Sequence, residues 1–117
     1  MDNKVHVEYN KLVRDKIPQI IIDSGANPQW RSLTAPEFLP AAIDKLYEEA
    51  QELVESTGND RLGELADLWE VLNALAEEMG WLMDDVVAAA AAKNRERGAF
   101  TERVWLISTE TRPVTES

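Results

Sequence analysis

The chain has 117 residues, 44% of them apolar, with 12 basic against 22 acidic side chains and a net charge of −10; one domain is expected, able to bury about two-thirds of the extended chain's surface without cross-links. The absence of cysteine excludes disulfides, thiol nucleophiles and thiolate-held metals, and a single histidine, His6, excludes a histidine-rich centre, so any metal must be held by oxygen. The acidity argues against a nucleic acid polymer as partner, because a duplex needs cationic surface to displace its counterions.

Residues 5–9 alternate valine with His6 and Glu8 and end on Tyr9, which predicts a short strand. A first helix is expected over Asp15–Ser24, with Pro18 near its start and Gly25 as its stop. Residues 26–34 (ANPQWRSLT) read as a loop. Thr34, Pro36 and Glu37 then supply an N-cap, an early proline and a first-turn acid for a second helix reaching about Ser56. Its apolar positions are Leu39, Ala42, Ile43, Leu46, Ala50 and Leu53, at helical spacing. Thr57-Gly58-Asn59-Asp60 breaks it, with Asp60 expected as the next N-cap. The third helix carries Leu62, Leu65, Leu68, Trp69, Leu72, Leu75, Ala76 and Met79, and stops at Gly80. A fourth spans about Asp84–Arg97, rich in alanine, and stops at Gly98. Thr101–Ser108 (TERVWLIS) is a second candidate strand that could pair with the first. The tail after about Thr109 is expected to fray.

The fold class is therefore mainly α: a hairpin of two long helices with two shorter ones, about four in all, plus a small terminal β-hairpin. It is one domain over residues 1–117. Two long helices expose more apolar face than so short a chain covers, so a dimeric bundle is expected. No apolar run approaches the ~20 residues of a membrane helix. The opening MDNKVHVEYNK lacks an apolar signal region, so neither membrane insertion nor export is suggested and a cytoplasmic location is expected.

The chemistry is in the carboxylates. Glu49 and Glu52 share one face of the second helix, and Glu64 and Asp67 one face of the third. The two helices are joined by a tight turn and run antiparallel, so at ~1.5 Å per residue the pairs lie at similar height. Glu64 is neighboured by Leu68, Val71 and Leu75, and Glu49 by Leu46 and Leu53, so both sit at the edge of an apolar stripe. Four acids converging there repel one another unless a hard divalent cation is held between them. Two other readings remain open: an acid-rich solvated surface, and an intrahelical pair of Lys45 with Glu49. The pair would leave Glu64 and Asp67 unexplained. A calcium loop of the EF-hand type is absent.

Glu48-Glu49-x-x-Glu52, eleven residues, then Glu64-x-x-Asp67 resembles the signature of the all-α nucleotide pyrophosphohydrolases, the MazG-like superfamily. YNKLVRDKIP (Tyr9–Pro18) resembles the opening of a small house-cleaning branch related to phosphoribosyl-ATP pyrophosphohydrolase. Lys93, Arg97, Gly98 and Phe100 look like that branch's KxxxRGxF segment. The resemblance covers about residues 8–106, and the spacer between the acid pairs is at the short end for the superfamily.

The resemblance implies a magnesium-dependent enzyme, with manganese as the alternative ion. It would split a nucleoside triphosphate between its α and β phosphates, releasing a monophosphate and pyrophosphate. Glu49, Glu52, Glu64 and Asp67 would be the metal ligands. Glu48 would be an auxiliary acid that orients or activates the attacking water. A homodimer or dimer of dimers is implied. Non-standard nucleotides are the expected substrates; alternatives are a phosphoribosyl-ATP-like substrate or a catalytically silent helical regulatory dimer.

Anhydride hydrolysis needs neutralised phosphates and an in-line water. Divalent ions would also let so acidic a protein admit a polyanion. The basic residues cluster near the two ends, and Lys11, Arg14, Lys93 and Arg97 are candidate phosphate contacts. They could equally be solvated surface or complement a helix C-terminus, for which Arg95 and Arg97 are well placed. Trp30, in a loop, is the candidate to stack on a base, whereas Trp69 fits the apolar stripe and is expected in the core.

Overall fold

The computed structural model describes residues 4–113. It contains four helices: α1 (Ile17–Asp23), α2 (Ala35–Glu55), α3 (Asp60–Glu78) and α4 (Met83–Arg97). The chain divides into two units, Met1–Met83 and Asp84–Ser117.

In the first unit, α2 and α3 pack on each other as a hairpin. The link between them is only four residues, Ser56–Asn59, short enough to force the helices antiparallel. Entry into α2 is set by Glu37, which accepts from the Thr34 amide and the Thr34 hydroxyl, each at 3.0 Å. Arg31 reaches the same carboxylate through both terminal nitrogens, at 3.0 and 2.7 Å. These four donors hold the Glu37 carboxyl at a pKa of about 2, the Arg31 hydrogen bond being the largest influence. At the far end of α3, Gly80 turns the chain with φ of 87°, a conformation a side chain would resist. The cap of α3 differs from expectation. Asp60 is the first helical residue rather than the N-cap, and Asn59 stands in the cap position with helical dihedrals and no side-chain capping bond.

The apolar interior of the described chain is small, consisting of Ala42, Leu75 and Ala76. Along α3, Leu62, Leu65, Trp69 and Leu72 are all exposed. They recur at the spacing of a helix–helix seam, so one face of the hairpin lacks a cover. Trp69, expected in the core, is 51% exposed on this face. Periodicity located the stripe; the hairpin's own partner helix α2 does not cover it.

The terminal β-hairpin does not form. No strand is present among the described residues: residues 5–9 have no regular structure, and the second segment opens on a turn at Thr101 and Glu102 before Arg103 at φ 56°. Val5, Val7, Val104, Trp105, Leu106 and Ile107 all stand exposed. Alternating apolar residues make a strand only when a neighbouring edge takes their backbone groups. In the second unit, α4 carries Asp84 and Asp85 in its first turn and Arg95 and Arg97 in its last, each sign matching the helix dipole. Of the tail expected to fray after about residue 109, residues 114–117 lie outside the described residues. No described helix is long and apolar enough to cross a membrane.

Candidate metal centre

Each residue of the acid group is delivered by helix arithmetic. Glu49 and Glu52 are one turn apart on α2, as are Glu64 and Asp67 on α3. The short link brings the two turns level. One oxygen from each of Glu49, Glu52, Glu64 and Asp67 lies within 4.8 Å of the others. The four acids expected from spacing are thus brought together.

Their surroundings distinguish the group from an ordinary acidic surface. Glu49 is 5% exposed. Its Oε2 and the Oε2 of Glu64 are shut away from solvent with no hydrogen-bond partner. Carboxylate oxygens in that condition are costly unless a cation completes them. Burial pushes the Glu49 carboxyl above its ordinary range; Lys45 pulls it down, and the neighbouring Glu52 adds to the rise. An oxygen-only donor set with two orphaned oxygens fits a hard divalent ion. Beside it, at the hairpin turn, is an open cleft of ≈ 560 Å³ whose lining includes Glu52, Glu55, Asp60 and Glu64.

Two cations of the same chain touch the group, Lys45 at Glu49 and Arg14 at Asp67, and a third, Lys11, binds the adjacent Glu48. Lys45, on α2 itself, donates to Glu48 Oε2 at 2.9 Å and pairs with Glu49 Oε1 at 3.3 Å. Lys11 donates to Glu48 Oε1 at 2.7 Å. Arg14 donates to Asp67 Oδ1 at 2.7 Å, a bond that raises its own pKa. Glu48 therefore stands outside the four-acid group with both oxygens engaged. Burial raises its pKa, but the Lys11 and Lys45 bonds outweigh that and leave it below the ordinary carboxylate range.

Of the expected phosphate contacts, Lys11 and Arg14 lie against the acids. Lys93 and Arg97 are exposed on α4, in the second unit. Trp30 is exposed in the connection between α1 and α2. The long-range pairs Lys11–Glu48 and Arg14–Asp67 had no signal in the sequence. Lys45 had one, its i+4 spacing to Glu49, which suggested only a surface pair.

In comparisons with known proteins, the chain matches no family model, no curated protein and no solved structure. The functional reading therefore rests on the geometry of the site and the motifs that form it.

Proposed function

We propose that the chain is a magnesium-dependent hydrolase that splits a nucleoside triphosphate into a nucleoside monophosphate and pyrophosphate, acting on non-standard nucleotides. The observation that carries this reading is the pair of orphaned oxygens, Oε2 of Glu49 and of Glu64, inside a four-carboxylate group with oxygen donors alone. The motif resemblance supplies the reaction, and the donor set supplies its requirement for a hard ion.

Glu49, Glu52, Glu64 and Asp67 would hold the ion. Bound magnesium supplies charge neutralisation at the phosphate oxygens and a polarised water. In the overall reaction water adds its oxygen to the α phosphorus, and the bond from that phosphorus to the oxygen bridging to the β phosphorus breaks. Lys11, bonded to Glu48, and Arg14, bonded to Asp67, would meet phosphate oxygens once substrate competes with those two acids for them. Glu48, with its pKa depressed by two ammonium groups, is a weak base. Its part in this reading is to orient rather than to take the proton. A second copy of the chain over the exposed α3 stripe completes the reading as a dimeric bundle.

The test is pyrophosphate release from a panel of ordinary and modified nucleoside triphosphates, with and without magnesium, beside Glu49→Ala. Magnesium-dependent release that the variant lacks supports the reading. Release from phosphoribosyl-ATP alone moves the substrate and keeps the site. No release from any of these by a folded protein overturns the enzymatic reading and favours a silent helical dimer.

A further inference from the structure

Lysine on a helix surface ordinarily runs its ammonium out to water. Lys45 does not: its side chain is 15% exposed, and its ammonium is turned in against two carboxylates of its own helix. The two partners differ. Glu48 has a second donor in Lys11, so it does not depend on Lys45. Glu49 Oε1 has Lys45 at 3.3 Å, and its other oxygen, Oε2, is buried with no partner. A carboxylate turns as a unit about its last bond, so fixing one oxygen fixes the other. Carboxylates that hold metals are commonly fixed in this way by a donor outside the ligand set.

We infer that Lys45 is a positioning residue of the metal centre: by occupying Oε1 of Glu49 it leaves Oε2 as the oxygen committed to the ion. The inference rests on the metal-centre reading above and adds to it a residue outside the acid motif. It also makes a prediction of definite sign. A bystander ammonium this close to a divalent ion repels it, so removing the ammonium would tighten binding. A positioning ammonium has the opposite effect, because a freely turning Glu49 offers its oxygen less often.

The experiment is direct titration of Mn²⁺ into the full-length protein, with free ion counted by electron paramagnetic resonance. Lys45→Met keeps most of the stem and removes the donor, and is expected to weaken Mn²⁺ binding by about tenfold or more. Lys45→Arg, which keeps a cationic donor, is expected to recover most of that loss. Circular dichroism in chelator checks that α2 is intact, and Lys45→Gln replaces the methionine variant should that one not fold. Binding by Lys45→Met as tight as wild type, or tighter, overturns the inference while leaving the centre in place. Absence of Mn²⁺ binding by the wild type, or binding that survives Glu49→Gln, overturns the centre and the inference together.

Discussion

Arg14, on the segment before α1, donates a 2.7 Å hydrogen bond to Asp67 on α3, across 53 positions of sequence. Lys11 makes the matching bond to Glu48 on α2. One short segment is thus clipped to both arms of the helical hairpin, one clip closing on Asp67 of the four-acid group and the other on Glu48 beside it. The Arg14 pair is largely open to water, so its worth to global stability is small, about 0–1 kcal/mol. Arg14→Ala is expected to leave the melting of the hairpin nearly unchanged and to speed amide exchange over residues 10–16. Hydrogen exchange by mass spectrometry reads both. Equal exchange in the two proteins would mean that the half-buried Leu12 and Val13 and the Lys11 bond hold the segment without Arg14.

Glu49 carries a pH dependence of unusual sign. Burial raises its pKa above the ordinary value of 4.5, so folding favours the protonated form. Below the ordinary value the residue is protonated whether folded or not, and adds no penalty. As pH rises through the raised value, the ionised carboxylate weighs against the fold. In chelator, Glu49→Gln is therefore expected to melt with wild type at about pH 4 and above it at about pH 7. Magnesium is expected to reverse the order: bound through Glu49, at a hundred times its dissociation constant it would add about 2.7 kcal/mol to the wild type alone. Thermal melts at the two pH values, with and without the ion, supply the comparison. A variant that gains as much from magnesium as the wild type argues against Glu49 as a ligand.

The exposed stripe Leu62, Leu65, Trp69 and Leu72 predicts a concentration-dependent dimer. Burying one such side chain is worth roughly 1.5–3 kcal/mol. Trp69→Lys is expected to weaken self-association at least tenfold, about 1.4 kcal/mol. Sedimentation velocity over a concentration series measures it. A wild-type chain that stays monomeric throughout would send the stripe in search of a different cover.

Glu37 titrates far from the site and in the opposite direction. Its pKa of about 2 lies below the ordinary 4.5, so its support of α2 is present above the ordinary value and fades as pH falls toward 2. Carbon-detected NMR titration should find it there. Arg31→Ala is expected to move it upward but not the whole way, because the Thr34 amide and hydroxyl still donate.

What the sequence made legible follows a physical line. Features set within one turn of chain were readable: the Thr34–Glu37 entry to α2, the stop at Gly80 and the i, i+3 acid pairs. The convergence of those pairs was readable too, because a four-residue link leaves two helices little choice. The acid turning inward at Glu49 followed from its apolar neighbours Leu46 and Leu53. Features that need a partner from elsewhere were not readable. Alternation at Val5–Tyr9 has the form of a strand whether or not an edge waits beside it. Trp69 lies on an apolar stripe whether that stripe faces a core or a neighbour. Lys11 and Arg14 could be recognised as a basic cluster, but their choice of Glu48 and Asp67 depends on a fold of the segment that no local spacing encodes.

The link Ser56–Asn59 has a consequence for how this protein can change in length. An α-helix turns by about 100° for each residue. One residue inserted in α2 between Glu52 and Ser56 keeps Glu49 and Glu52 together but swings their face away from Glu64 and Asp67. The same residue inserted within the link adds only loop, and the two faces still meet. Viable descendants should therefore differ in length at the bend, or by whole helical turns, and seldom by a single step inside either arm.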